Sequence, residues 1–186
     1  MILYLHGFCS SPASWKPRLL AETMEKRGLG AQLVCPALSP VPLEAIAQAE
    51  AVIKAADSPI ALVGSSLGGH YATFLAEKHG LPAVLINPAV IHCRDLSHFL
   101  GEHANFHTGE RFVFTEAHAR DVQAMTVAKP PVERLWLLVE TGDEVLDYRQ
   151  AIEYYQGCRQ TVLSGGDHSF TQFPQFVSQI IEFAGL

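Results

Sequence analysis

The sequence predicts an α/β protein of three layers, in which helices cover both faces of an open, mostly parallel sheet of six strands. Short apolar runs alternate with longer segments of helical period, which is typical of parallel strands joined by helices. The run at residues 60–63 is fully apolar and predicts a central strand. With 186 residues, the chain suits one domain, residues 1–186, built on a single apolar core.

Each element follows from the pattern of apolar and turn-forming residues. Strands are expected at residues 2–5, 31–35, 60–63, 83–86, 135–139 and 160–163. Helices are expected between them, at residues 15–27, 43–56, 67–79, 148–155 and 173–183. Ser14 is a candidate N-cap of the first helix, and Gly28 and Gly30 follow its end.

One region departs from this alternation. Between Val90 and Pro131 no segment has the pattern of a strand, and a structureless loop of that length is uncommon in a compact domain. We therefore expect an insertion at about residues 91–130 that forms a small helical lid over the strand ends. Its two short helices are expected at about residues 95–101 and 116–124.

Composition excludes several classes of partner. The formal net charge is −6 and no basic stripe is present, which argues against nucleic acid and against anionic lipid surfaces. The chain starts on a predicted strand, without signal-peptide features or an apolar run long enough for a bilayer, so a cytoplasmic protein without a membrane partner is expected. The four cysteines are scattered and predict neither zinc binding nor disulfides. No signal for an oligomeric state is present.

The residues 64–68, Gly-Ser-Ser-Leu-Gly, fit the pattern G-x-S-x-G, with Ser66 at its centre. A serine in such a strand-to-helix turn is exposed above the carboxyl ends of the strands, where the helix N-terminus favours a developing negative charge. The five-residue pattern alone is weak, but an apolar strand precedes it and a helical segment follows it. Ser66 is therefore the candidate nucleophile.

A base and an acid are available in the loops after the last two predicted strands. His168 lies between the last strand and the last helix, where a histidine can reach Ser66. Asp143 follows the fifth strand, and the order Ser66, Asp143, His168 is the order of nucleophile, acid and base in this type of fold. Asp147 is the main alternative acid, and the weaker ones are Glu140 and Asp167.

Two backbone N–H groups complete the predicted site as an oxyanion hole. The N–H of Leu67, which follows the nucleophile, is one donor, and the N–H of Phe8, in the loop after the first strand, is the other. Gly7 allows that loop to approach closely. We interpret His6 as a structural histidine of the same loop.

The predicted lid is rich in histidine and phenylalanine. His103 and His107 have i, i+4 spacing, but Asn105 and Gly109 disfavour a helix there, and no carboxylate or cysteine completes a ligand set, so no metal site is expected. The phenylalanines should mostly pack the lid onto the sheet, with one or two facing an apolar acyl pocket; they are Phe99, Phe106, Phe112 and Phe114. Cys9, beside the oxyanion loop, is expected to be inert.

Five motifs along the chain together resemble a known family. They are HGF followed by SSP (residues 6–8 and 10–12), GSSLGG (64–69), NPA (87–89), TGDEVLDY (141–148) and GGDH (165–168). This set closely resembles the YqiA-like esterases, small bacterial members of the α/β-hydrolase superfamily, over essentially the whole chain. The resemblance implies a minimal α/β-hydrolase fold that lacks the first strands of the larger fold. It also implies a triad of Ser66, Asp143 and His168, and activity on acyl esters, with acyl-CoA thioesters among the candidates.

The sequence thus predicts a serine esterase or thioesterase that acts on a small acyl substrate through an acyl-enzyme intermediate, without a cofactor. Two alternatives stay open. One keeps the triad for other chemistry, as in a peptidase or a carbon–carbon hydrolase. The other is a non-catalytic small-molecule binding module on a hydrolase scaffold, since a fold does not determine a function.

Overall fold

The central sheet of this computed structural model, which describes residues 1–186, has six parallel strands. In chain order these strands are β1 (Ile2–Leu5), β2 (Leu33–Val34), β3 (Ala61–Ser65), β4 (Ala83–Ile86), β7 (Leu135–Glu140) and β8 (Arg159–Leu163). Their spatial order is β2-β1-β3-β4-β7-β8. The predicted six-stranded parallel sheet is therefore confirmed. The second strand is shorter than expected, because a 3₁₀ turn occupies Gly30–Gln32.

Helices cover both faces of the sheet. They are α1 (Trp15–Lys26), α2 (Pro42–Ala55), α3 (Leu67–His79), α4 (Glu116–Ala124), α5 (Tyr148–Tyr154) and α6 (Val177–Phe183). Alternate strand residues contribute to two separate cores, not to the single core that was expected, because the sheet lies between them. Leu3 faces the side of α2, α3 and α5, while Ile2 and Tyr4 face the side of α1 and α6. This period of two is what a strand buried on both faces requires. None of the helices combines the length and the apolar character needed to cross a bilayer.

The lid differs from the sequence prediction. Residues 95–101 do not form an α-helix: a 3₁₀ turn spans Leu96–Phe99, and the chain then enters an antiparallel hairpin of β5 (Gly101–Ala104) and β6 (Arg111–Phe114). The prediction of a first lid helix, and of no strand in the lid, was therefore wrong. The second lid helix, α4, lies where it was predicted. The strands of the hairpin do not alternate clearly between apolar and polar residues. Their phenylalanines pack against Phe8, in a loop that is distant in sequence.

His70 makes one of the contacts between the lid and the core of the protein. This residue lies on α3, is 3% exposed, and its Nε2 lies 2.9 Å from the carbonyl oxygen of Val122 on α4. Burial lowers the pKa of His70 from 6.5 to about 4, although the hydrogen bond to Val122 acts in the opposite direction. The histidine is therefore neutral at neutral pH and donates its Nε2–H to α4.

His70 should make the protein sensitive to acid. Because its pKa is lower in the folded chain, the unfolded chain binds the extra proton, and the free energy of unfolding should fall as the pH drops from 6.5 to 4, by as much as about 3 kcal/mol. Denaturant unfolding of the wild type and of His70→Gln, which keeps an N–H donor, measures this contribution. The wild type should lose more stability than the variant over that range; equal losses would contradict the assignment.

Candidate active site

The candidate site lies at the carboxyl edge of the sheet, where the strand order reverses. From β1 the chain moves to one side, to β2, and then returns to the other side, to β3. The loops that follow β1 and β3 consequently diverge and leave a crevice, which is the usual place for a binding site in open α/β sheets.

Ser66 occupies a tight turn between β3 and α3. Its backbone angles are φ 55° and ψ −121°, a conformation that side-chain-bearing residues rarely adopt. The turn depends on the glycines around it: a Cβ on Gly64 would overlap the carbonyl of Gly68, and a Cβ on Gly68 would overlap the carbonyl of Leu5. The G-x-S-x-G pattern is thus explained by close backbone contacts, and the strain at Ser66 turns its side chain out over the sheet edge.

Ser66, His168 and Asp143 form a continuous chain of contacts. The Oγ of Ser66 lies 3.1 Å from Nε2 of His168, and Nδ1 of His168 lies 2.8 Å from Oδ2 of Asp143. The side chain of Asp143 is 1% exposed and that of His168 is 24% exposed. Oδ1 of Asp143 also accepts hydrogen bonds from the backbone N–H groups of Val145 and Leu146, at 2.9 and 2.8 Å. The three predicted residues are therefore brought together, and the carboxylate is held in one orientation.

The alternative acids have other partners. Asp147 caps the N-terminus of α5 and pairs with Arg149 at 2.8 Å, and its side chain is 38% exposed to solvent. Asp167 turns away from the neighbouring histidine and accepts hydrogen bonds from the backbone N–H and the hydroxyl of Ser169. Neither side chain contacts the His168 ring.

Glu140 has a role that sequence reasoning missed. It is the last residue of β7, is 0% exposed, and its carboxylate accepts backbone N–H bonds from Asp167, Thr171 and Gln172 at 2.8, 3.1 and 2.8 Å. These donors lie on both sides of His168 in the sequence, so the buried carboxylate holds the loop that carries the histidine. A charged residue at the end of an otherwise apolar strand was the signal for such a role.

Asn87 fixes the same loop from β4. Its Oδ1 accepts a hydrogen bond from the N–H of Glu140 at 3.0 Å, and its Nδ2 donates to the carbonyls of Asp167 and His168 at 3.1 and 3.3 Å. It is 2% exposed and has a φ of 39°. The NPA motif therefore contributes a buried amide that joins the β4 end, the β7 end and the His168 loop.

The two predicted oxyanion donors flank Ser66. The N–H of Phe8 makes no hydrogen bond within the chain, and Leu67, as the first residue of α3, has an N–H without an intrahelical partner. Gly7 brings the first loop close, since a Cβ there would lie 3.2 Å from that of Ser66. His6 is buried and accepts the N–H of Leu38 on Nε2 at 3.0 Å, which agrees with a structural role.

An apolar cavity of about 270 Å³ opens beside Ser66, beneath the lid. Three of the four lid phenylalanines line it, Phe99, Phe106 and Phe114, where one or two were expected, and Ser66 and His168 are also among its walls. We call it the lid cavity. Phe112 is not among its walls: it packs on the ring of Phe8 at 5.6 Å, in a T-shaped contact that Phe99 and Phe114 also make. The hairpin is thus anchored on the oxyanion loop.

The histidines of the lid have separate partners. His103 lies 2.7 Å from the carbonyl of Phe99, His118 completes a capping box with Thr115, and the ring of His92 packs at a tilt against that of Tyr154. No group of three or more His, Cys, Asp or Glu side chains that could hold a metal ion forms anywhere in the chain. Cys9 is buried, and burial raises the pKa of its thiol.

Lys16 is a second residue that sequence reasoning missed. It lies on α1, is 8% exposed, and its Nζ donates to the carbonyl of Ser169, next to His168, at 2.7 Å. Burial lowers the pKa of this ammonium to about 8, although nearby carboxylates act in the opposite direction. The signal was its spacing, because Lys16 shares the buried face of α1 with Leu20 and Met24.

A family model described as "Uncharacterised protein family (UPF0227)" matches residues 1–185. The chain belongs to this family. The match covers the chain almost from end to end, and it confirms the family resemblance that the motifs predicted.

Solved structures show that this UPF0227 member has the α/β-hydrolase fold. Alpha/beta hydrolase domain-containing protein 10 from mouse has 16% identity and a TM-score of 0.72, over 97% of this chain and 88% of that one. Est1E from Butyrivibrio proteoclasticus has 14% identity and a TM-score of 0.72, over 100% and 88%. Monoacylglycerol lipase from Paleococcus ferrophilus has 15% identity and a TM-score of 0.65, over 98% and 93%. At these identities the likeness concerns the fold.

Proposed function

We propose that the protein is a serine hydrolase that cleaves acyl esters or acyl thioesters, with Ser66 as nucleophile, His168 as base and Asp143 as the acid that orients it. The observation that carries the proposal is the chain of contacts from Ser66 Oγ through both nitrogens of His168 to Asp143, at 3.1 and 2.8 Å. These distances suit proton transfer between serine and imidazole. The buried loop contacts of Glu140 and Asn87 support it, because they hold the histidine in place.

In the proposed reaction, Nε2 of His168 takes the Ser66 proton as Oγ attacks the acyl carbonyl carbon. The carbonyl oxygen becomes an oxyanion and receives hydrogen bonds from the N–H groups of Phe8 and Leu67. His168 then gives its proton to the leaving oxygen or sulfur, and an acyl-serine remains. Water attacks this ester, His168 takes the water proton and returns it to Ser66, and the acid is released. Asp143 stabilises the imidazolium throughout.

The lid cavity supports an acyl substrate. Almost all of its lining is apolar, it opens directly at Ser66, and its volume of about 270 Å³ suits a hydrocarbon chain. A short polar substrate such as a peptide would not fill the cavity with apolar groups, and its apolar lining would stay in contact with water. The family resemblance adds thioesters, acyl-CoA included, to the esters that the cavity accommodates.

Covalent labelling tests the proposal directly. A fluorophosphonate should phosphonylate the protein at one serine, and tandem mass spectrometry should locate it at Ser66, with loss of p-nitrophenyl hexanoate hydrolysis in step with labelling. A heat-denatured sample is the control, because a label that needs the folded site disappears from it. Absence of labelling together with absence of turnover would favour the non-catalytic binding module.

A further inference from the structure

A second cavity also reaches Ser66, on the side of the site where α1 lies. It measures about 330 Å³ and lies over α1, and we call it the α1 cavity. Both cavities share Phe8, Ser66, Phe106, Val145 and His168 as walls. The two halves of an ester leave the reacting carbon in different directions, so a substrate attached at Ser66 can place one half in each cavity.

The two cavities differ in chemistry. The lid cavity exposes almost only apolar surface, although Arg94 is among its lining residues. The α1 cavity also has much apolar surface, but hydroxyl, ammonium and carboxylate groups contribute to its lining, from Tyr4, Ser14, Lys16, Ser65 and Glu144. An acyl chain gains most from the apolar side. The polar side is left for the leaving group.

Tyr4 provides the clearest sign that the α1 cavity receives a ligand. Its side chain is 1% exposed and lines the cavity, and its hydroxyl makes no well-formed hydrogen bond, although the side chain of Ser65, which also lines the cavity, lies close enough to act on its pKa. An unpaired buried hydroxyl destabilises the folded protein, and a bound polar group would remove that cost. Burial raises the pKa of Tyr4 far above its usual value, so the group is a neutral hydroxyl that can both donate and accept.

The charges around the cavity select against an anion. Lys16 uses one of its three N–H groups on the carbonyl of Ser169, which leaves two for a ligand. The carboxylates of Glu140, Asp143 and Asp167 lie close enough to act on its pKa, and Glu144 lines the cavity itself. The charges around the cavity are therefore negative overall, and the ammonium of Lys16 alone does not make it an anion site.

An aromatic face completes the cavity. Trp15 lines it with 39% of its surface exposed, and the indole is held in a T-shaped contact with Phe173 at 5.7 Å. Ser14, the residue before it, makes no capping hydrogen bond to α1, so its hydroxyl is available. Hydroxyl donors, a carboxylate acceptor and a flat apolar ring together match the surface of a molecule with several hydroxyl groups.

We propose that the α1 cavity binds the leaving group, and that this group is a neutral polyhydroxylated alcohol, such as glycerol or a sugar, with its acyl chain in the lid cavity. The proposal rests on the serine hydrolase function proposed above. In the acylation step the ester C–O bond breaks, and the polyol oxygen leaves with the proton that His168 took from Ser66. Tyr4, Ser14 and Lys16 hold the remaining hydroxyl groups.

Four esters of hexanoic acid test the proposal. Their alcohols are 1-propanol, glycerol (ester at carbon 1), glucose (ester at carbon 6) and glycolate, which carries a carboxylate. Each kcat/KM is divided by the rate of alkaline hydrolysis of the same ester, which removes differences in intrinsic reactivity. The wild type should favour the glyceryl or the glucosyl ester over the propyl ester by about tenfold or more. The better of the two identifies glycerol or a sugar as the source of the hydroxyl groups.

Tyr4→Phe and Ser14→Ala should each reduce that preference, by about fivefold for Tyr4→Phe, mainly through KM. Tyr148→Phe, which removes a hydroxyl on α5 outside both cavities, is the matched control and should keep it. If Tyr4→Phe does not fold, Ser14→Ala carries the comparison alone, because its partly exposed side chain has no capping bond to lose.

Three results would overturn the proposal: no preference for the polyol esters, a stronger preference for the glycolate ester, or an equal loss on all four esters in both variants. The last would give Tyr4 and Ser14 a structural role only. In each case, continued hydrolysis of propyl hexanoate and fluorophosphonate labelling would leave the hydrolase function standing. Loss of both in the wild type would remove that function, and this proposal with it.

Discussion

Replacing Ser66 with alanine should lower kcat for a p-nitrophenyl acyl ester by at least about 10⁴-fold. The oxygen that would attack the acyl carbon is lost, and neither Phe8 nor Leu67 supplies a nucleophile, because both act through backbone N–H groups. His168 could at best activate a water molecule. The measurement is the initial rate of p-nitrophenol release by wild type and variant, at equal protein concentration and saturating ester.

The fold should survive this change. The hydroxyl of Ser66 has His168 as its one hydrogen-bond partner, and alanine keeps the Cβ that the turn already accommodates. The Tm should therefore stay within a few degrees of the wild type. Wild-type rates in Ser66→Ala with an intact Tm would remove Ser66 from its proposed role.

The sheet and the three contacting side chains were predictable because their signals are local. The central strands are apolar except at their carboxyl ends, each is bounded by turn residues, and Ser66, Asp143 and His168 each follow the end of a strand. In a parallel sheet those strand ends lie along one edge, so placement in sequence determined placement in space. Strand boundaries at the sheet edge were less certain, as the short β2 illustrates.

The hairpin was not predictable from its own residues. Its strands have four residues each, and β5 reads Gly-Glu-His-Ala, without apolar alternation. The hairpin is fixed from outside: Phe106 N–H donates to the Cys9 carbonyl at 2.8 Å, and Asn105 Nδ2 donates to the Ser10 carbonyl at 2.7 Å. The conformation of this segment depends on contacts between residues nearly one hundred positions apart. No pattern within a short stretch of the sequence indicates such contacts.

The supporting residues were missed for the same reason. Lys16 meets Ser169 across 153 positions, and the carboxylate of Glu140 meets backbone N–H groups of a loop about thirty positions on. Both were visible only as polar residues on apolar faces. Such residues require a partner, and the partner's identity appears only in the folded chain.

Asp143→Asn should reduce kcat by about 10³- to 10⁴-fold, and the geometry explains why an isosteric change is so damaging. Oδ1 accepts the N–H groups of Val145 and Leu146, so the amide oxygen of the asparagine must take that position. The amide nitrogen then replaces Oδ2, at 2.8 Å from Nδ1 of His168. Oδ1 also lies 3.0 Å from Nδ1, but the nearer amide nitrogen can only donate, so it favours the tautomer with the ring proton on Nε2, which cannot accept the proton of Ser66.

Asp147→Asn is the matched control, with the same chemical change four residues away. Asparagine is an equally good N-cap, so α5 should keep its start, and the lost pairing with Arg149 is exposed and weak. We expect kcat within about threefold of the wild type. Should Asp147→Asn prove the more damaging of the two, Asp147 would be the acid. The loop that now holds Asp143 against His168 would then have to rearrange in the working enzyme, breaking the two backbone hydrogen bonds to Oδ1 as it did so.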